Sequence, residues 1–457
     1  MKIKYIILSF IILGSMSCSS DFTDLAPLSQ RNTGVFYKTA GDMQIAVNAI
    51  YNSLQKDGCY DQSYWVLQEL RSDNTFWDGT GLAEEVTVFD KFTDISTSNI
   101  SEAAWNDSYQ GIARANIVLS NIDEIDMDAT LKANLKGEAL FLRSLFYYHL
   151  AVGFGNIPLV LTETATVDEG ENHTQVDAGT IYAQLVSDLT EAESNLPASY
   201  DASNQGRATS GAAATLLAKV YLTIGESGNA ESACRRVIGG GYSLMGDYAN
   251  LWGVDNEHNV ESIFEVNFEG GLSDQGNNFT SQFNDDLAGS VTSGLRNIPE
   301  RDLSDAYEAG DARFAASLAG VTVDNPGWTI KYGLTNAFSD DDGPNNWVIF
   351  RYADVLLMLA EALGESGESY DLINMVRDRA GLGPIDGSTP GSFEDKLLQE
   401  RRVELAFENH RWADLLRFGQ AESVMAAQGK PVNGKLLFAI PQREMDLNSN
   451  FTQNSGY

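Results

Sequence analysis

The sequence predicts a mainly α fold, in which antiparallel helix pairs stack into one scaffold and a loop-rich, partly β segment is inserted between them. Three observations lead there. Apolar residues recur at helical spacing in ten segments spread over residues 39–238 and 352–418. Residues 239–350 lose that period and become rich in Gly, Asn, Asp and Ser. One layout occurs twice: LLAKVYLTIGESG at 216–228 and VLLMLAEALGESG at 355–367.

The elements follow in order. The spacing predicts a first helix over 39–54, with Met43, Val47, Ile50 and Leu54 on one stripe. A second runs over 101–122, where Trp105, Ile112 and Leu119 share a face and Trp105 is expected in the core. A third, long and amphipathic, covers 131–150; Gly153 and the Gly155-Asn156-Ile157-Pro158 run end it. Further helices are predicted over 178–196, 210–224 and 230–238. In the loop-rich stretch, residues 262–268 read as a β run. Helical pattern returns over 352–363, 370–379, 393–408 and 412–418.

In the repeated layout an apolar stripe meets a Gly-containing turn and then an amphipathic helix. That is the helix pair of tetratricopeptide-type repeats. One pair cannot bury its own apolar face, so pairs must stack. Their spacing is irregular along the chain, which a long insertion explains. A single unit over 38–457 is expected, with helical-repeat parts at about 38–238 and 351–418 and a loop-rich, ligand-binding part at about 239–350.

At 457 residues, 43 % apolar and 10 % aromatic, the chain can bury a large core. It carries 64 acidic against 30 basic residues, a formal charge of −34. Such a surface repels phosphate backbones and polyanionic sugars, so nucleic acid is excluded as a partner and neutral ligands fit better. Three cysteines, Cys18, Cys59 and Cys234, do not make a disulfide framework; Cys59 and Cys234 are open to pairing or to staying free.

The N-terminus reads as a targeting segment. Lys2 and Lys4 precede an apolar run over 5–13, then Gly14-Ser15-Met16-Ser17 and Cys18. The run is too short to span a bilayer. Small residues before a cysteine suit a lipoprotein signal over 1–17, with Cys18 as the lipidated first residue of a tether over 18–37, although Ser15 stands where such sites usually carry Leu. The mature protein is expected to be anchored to a membrane, not embedded in it.

Four blocks carry a resemblance: DFTDLAP at 21–27, EALFLRSLFYY at 138–148 with GNIPL at 155–159, RYADVLLMLAEA at 351–362, and ERRVELAFENHRWADLLR at 400–417. With them the chain resembles the RagB/SusD nutrient-binding lipoproteins of Bacteroidetes over nearly its whole length. The resemblance implies four tetratricopeptide-like helix pairs holding a loop-rich binding half. It implies a cell-surface, outer-membrane location and a SusC-like TonB-dependent transporter as partner, with the lipoprotein acting as its lid. It implies glycan binding without catalysis and without a cofactor. A peptide-binding member of the family and a purely structural lid are the alternatives. Within the blocks, Arg351, Asp354, Arg401, Glu404, Arg411 and Asp414 fall at helical spacings and are expected to form ion pairs between packed helices.

No constellation for chemistry stands out. The four histidines are scattered, no Cys-x-x-Cys or His-x-x-x-His pair suggests zinc, and there is no Gly-x-Ser-x-Gly elbow or phosphate loop. With so many acids a glycosidase carboxylate pair carries no information. Asp340-Asp341-Asp342-Gly343 lacks the alternating ligands of a calcium loop. A sugar instead needs aromatic rings for its C–H faces and amides or carboxylates for its hydroxyls. Two regions mix these types: 60–79, with Tyr64, Trp65, Asp73, Asn74 and Trp77, and 277–284, with Phe283; Trp328 on a Pro-Gly turn joins them. Family glycan contacts commonly come from loops after the first helix and from the variable insertion, so these seven are the expected ligand-binding residues. Trp65 equally suits a core, and Asp73 and Asn74 equally suit a turn cap.

Overall fold

The computed structural model describes residues 37–77, 84–164, 173–272, 274–283, 296–332 and 342–457. The signal segment, Cys18 and nearly all of the tether lie outside the described residues, as do Asp78, Gly79, Asn284, Asp340 and Asp341.

Four helix pairs form the scaffold. They are α1 (Ala40–Leu54) with α2 (Asn99–Asn121), α3 (Ala129–Phe154) with α4 (Ala178–Asn195), α5 (Ser210–Thr223) with α6 (Ser227–Ile238), and α7 (Tyr352–Leu363) with α8 (Gly367–Arg379). Each pair packs on the next, α2 on α3, α4 on α5 and α6 on α7. The stack therefore continues from α6 to α7 although 113 residues separate them in sequence. The chain loops out, returns beside its exit point and resumes the repeat. α9 (Phe393–Leu405) packs on α7, and α10 (Arg411–Arg417) packs on α9.

Local chemistry sets the ends. Thr39 and Asp42 form a reciprocal capping box at the start of α1, and Asp128, Asp177, Thr209 and Ser366 cap α3, α4, α5 and α8. The two Gly-Glu-Ser-Gly turns behave alike. Gly225 and Gly364 sit at φ +76° and +66°, and a Cβ at either would meet nothing within 4 Å, so the requirement is conformational, not spatial. The predicted helices are all present, with ends displaced by a few residues. The short helices Glu84–Asp90, Ala421–Ala427 and Gln442–Leu447 carry too few turns to show a period and were not foreseen.

Eight short strands form four antiparallel two-stranded ladders among the described residues. They are β1 (Thr75–Phe76), β2 (Ile157–Pro158), β3 (Gln175–Val176), β4 (Ser262–Val266), β5 (Ile298–Pro299), β6 (Leu318–Ala319), β7 (Trp328–Thr329) and β8 (Trp347–Arg351). β4 pairs with β8, which runs straight into α7 and so brings the insertion back to the scaffold. β1 pairs with β5, joining the first-half connector to the insertion.

The foreseen ion pairs exist and extend further than the helix spacings suggested. Arg351 reaches Glu261 at 2.9 Å, Glu404 at 2.5 Å and Glu408 at 2.6 Å. Arg313 adds Asp311 at 2.8 Å and Glu400 at 2.6 Å, and Lys331 holds Glu408 at 2.5 Å. Arg401 joins Asp354 at 2.9 Å to Asp414 at 2.8 Å, and Lys219 of α5 meets Asp354 at 2.8 Å. All these groups are buried, where an unpaired charge is severely destabilising. Burial pushes the Glu404 carboxyl up, but Arg379, Arg351 and Arg313 outweigh it and hold the group well below the usual range. Glu261, Arg313 and Lys331 come from the insertion and Glu400 and Glu404 from α9, so the network fastens insertion to scaffold. Cys59 and Cys234 are both free and buried.

Candidate functional site

Between α1 and β1 the chain makes two π-helical turns, Asp57–Asp61 and Val66–Leu70, with Ser63–Trp65 between them. This stretch was expected to be a ligand-facing loop; it is a buried connector, and that is a correction. Trp65 has no exposed surface and meets the Phe283 ring edge-on, with centroids 5.3 Å apart. Phe283 is equally buried and sits 6.0 Å from Trp347, which also packs on Phe279 and Tyr332. The structure thus brings Trp65 and Phe283 together, but as an aromatic core between connector and insertion. Tyr64 is buried, shares a hydrogen bond with Ser108 at 2.8 Å and stacks on His149. A ring with no free face cannot stack on a sugar.

Asp73 and Asn74 are likewise enclosed. Arg411 donates two hydrogen bonds to Asp73, at 2.7 and 2.8 Å, and Arg402 adds a third contact at 3.2 Å. Burial raises the Asp73 carboxyl, but the two arginines outweigh it and hold it below its ordinary value. Asn74 donates to Glu69 at 2.8 Å and accepts from Arg402 at 3.1 Å. Their polar groups are spent inside the fold, locking the connector to α9 and α10. The signal for this was present: the two arginines belong to the ERRVELAFENHRW block, which the charge spacing marked as an ion-pair element.

Trp77 and Trp328 remain. Trp77 follows β1 directly, and Trp328 opens β7. β5 pairs with β1 through Thr75↔Pro299 and Phe76↔Ile298, and it also contacts β7. The two tryptophans therefore flank one group of short strands, β1, β5 and β7. Trp77 is 4 % exposed, as enclosed as Tyr64, so its expected role as a sugar platform is corrected as well; Trp328 is half-buried with its ring against Gly320. The indole N–H of each has no hydrogen-bond partner among the described residues. Polar groups surround the cluster. Lys430 pairs with Asp90 and Glu300 at 2.5 Å each, and Asp302 accepts from Arg402 at 3.1 Å and from Gln428 at 2.5 Å. Among the described residues no three His, Cys, Asp or Glu side chains are grouped to hold a metal ion. The enclosed cavity beside Lys219 and His410 is only about 30 Å³, too small for a sugar ring.

Comparison with known proteins matches this architecture throughout. Residues 21–222 fit a family model described as "Starch-binding associating with outer membrane", and residues 328–436 fit one described as "SusD family". The chain is 27 % identical to "SusD-like protein P2" of Formosa agariphila, over 100 % of this chain and 99 % of the relative. It is 24 % identical to "Starch-binding protein SusD" of Bacteroides thetaiotaomicron, over 100 % of both chains. Among solved structures, a "Laminarin binding SusD-like protein" superposes with a TM-score of 0.81 at 29 % identity, covering 92 % of this chain and 100 % of that one. Two family models at opposite ends of the chain, full-length relatives and a shared helix-pair architecture agree: the chain belongs to the SusD/RagB family.

Proposed function

We propose that this protein is a lipid-anchored outer-membrane receptor that binds neutral oligo- or polysaccharide at the cell surface and passes it, unaltered, to a SusC-like TonB-dependent transporter. The observation that carries the reading is the end-to-end likeness to a solved protein described as laminarin-binding, at 29 % identity. The family description associates members with starch and the outer membrane. A formal charge of −34 favours uncharged ligands. Trp328, half-buried at the start of β7, is the residue we assign to stacking on a sugar ring.

Absence of catalysis is part of the proposal. A glycosidase needs one carboxyl free to give a proton and another free to attack or activate water. The interior carboxylates Glu400, Glu404, Glu408, Asp354 and Asp414 are each paired to Arg or Lys instead.

The test is retention on gels containing neutral polysaccharides, followed by chain-length analysis after long incubation. Retardation by one glucan or xylan with its length unchanged is the expected result. Shorter sugars appearing with time would make the protein an enzyme. No retardation by any glycan, with binding of oligopeptides, would make it a peptide-binding member of the family.

A further inference from the structure

A groove runs along the scaffold well apart in sequence from the tryptophan cluster. Its walls are α1, the loop ahead of α5 and the end of β4. Two lobes, of about 580 and 290 Å³, share Gln205, Gly206, Arg207 and Glu265 and so lie side by side, each of small-ligand size. No residue of it belongs to the Trp77–Trp328 cluster.

The lining is rich in primary amides: Asn48, Asn52, Gln55, Gln205, Asn267 and Gln275. Each amide both donates and accepts, as does each sugar hydroxyl, so paired amides match vicinal hydroxyls. Half-buried tyrosines flank them, Tyr51 in one lobe and Tyr200 and Tyr242 in the other, supplying apolar ring faces. The lining holds one arginine and one glutamate, and so carries no net charge within a strongly anionic chain. Both charges are already engaged. Arg207 pairs with buried Glu138 at 2.7 Å, and Glu265 accepts from Asn346 at 3.0 Å.

The walls are also fixed in advance. Glu138 of α3 accepts from Tyr51 at 2.7 Å, Tyr200 at 3.2 Å and Arg207 at 2.7 Å, tying α1 and the loop ahead of α5 to one anchor. Gln55 donates to the Asn267 carbonyl at 2.8 Å, joining α1 to the end of β4. Gly206, at φ +89°, lets the loop approach Asn267 so closely that a Cβ would lie 2.4 Å from its amide nitrogen. A groove ordered before its ligand arrives spares the ordering cost of binding.

We propose that this groove is a second carbohydrate site, which takes a neutral oligosaccharide through its amide row and tyrosine faces. The proposal rests on the glycan-binding reading above, but not on where the first site lies.

The experiment is hydrogen–deuterium exchange of the mature chain, with laminarihexaose, maltohexaose and xylohexaose each at millimolar concentration. At least one sugar is expected to protect residues 200–207 and 265–272. That protection should persist in a Trp328→Ala variant. It should need about tenfold more sugar in a Gln205→Ala/Asn267→Ala variant, since two exposed hydrogen-bonding groups are lost. An unchanged melting temperature in that variant separates lost binding from lost folding. If none of the three sugars alters exchange in the groove, or if the tryptophan variant abolishes the protection, the second site does not exist. Groove protection without any change around 328–329 would instead displace the first site and leave this one standing.

Discussion

Glu69 is buried and, among the described residues, has no Arg or Lys within salt-bridge distance. It accepts hydrogen bonds from Asn74 and from the Phe407 backbone, and burial still pushes its carboxyl up to about 7. The folded state therefore holds the proton more tightly than the unfolded chain. The stability this gives is fully present below the unfolded value of about 4.5 and is lost as the pH rises through about 7. The loss amounts to roughly 3 kcal/mol, and Glu69→Gln should flatten the stability curve over that window in urea titrations at several pH values. The acid limb has the opposite sign. Glu404 and Asp354 are held well below the ordinary range, Glu404 by Arg379, Arg351 and Arg313 and Asp354 by Lys219 and Arg401, so their contribution is lost as the pH falls toward those depressed values. Arg351→Met would take one cation from each of three buried carboxylates, Glu261, Glu404 and Glu408, which keep only Arg379, Arg313 and Lys331, and should cost about 3 kcal/mol in the same titration. Arg235→Ala, which breaks an exposed, solvent-screened pair with Glu231 and Glu368, should leave the urea midpoint unchanged. Individual residues were the hardest level to read from sequence. Trp65 and Asp73 have the composition of a sugar site, but composition does not reveal which way a side chain faces. Only the partner segments, Phe283 and Arg411, decide that, and they lie more than 200 residues away.

At the scale of elements the sequence was far more informative, because helical period and caps are local. All ten predicted helices exist, and the twice-used Gly-Glu-Ser-Gly turn marks two real helix pairs that become neighbours through α6 and α7. The turns from α9 into α10 were legible as a motif but not as a shape. Phe407 and Asn409 adopt φ of +67° and +64°, a strained path held by Glu69 on the Phe407 N–H and by Tyr332 on its carbonyl. In the insertion the β run over 262–268 was legible and is β4, but the two-residue strands are set by distant pairing and not by local pattern. The insertion is nevertheless part of the scaffold's energetics. Leu303, Tyr307 and Leu318 form a second small core with Val403, Ala406 and Phe407. Replacing residues 243–346 by a short Gly-Ser linker would remove Glu261, Arg313 and Lys331 together with that core. The shortened chain should show no cooperative unfolding transition by circular dichroism, even though α6 and α7 remain adjacent. A sharp transition near the intact protein's melting temperature would mean the insertion is energetically dispensable.

At the scale of the whole molecule, a stack of helix pairs holds out an insertion whose short strand β7 carries Trp328, within a strongly anionic chain. The family was legible in four sequence blocks, two of which, at 351–362 and 400–417, supply the buried ion pairs of Arg351, Asp354, Arg401, Glu404 and Asp414. The ligand was not legible, because the residues that would choose it lie on irregular segments with no period to read. The most direct measurement is calorimetric titration of residues 19–457 with laminarihexaose and a panel of other neutral oligosaccharides, alongside Trp328→Ala. The account predicts binding to one glycan class, weakened at least tenfold by the substitution, with the variant melting within a few degrees of the intact protein. Heatless titrations across the whole panel, or full affinity in the variant, would contradict it.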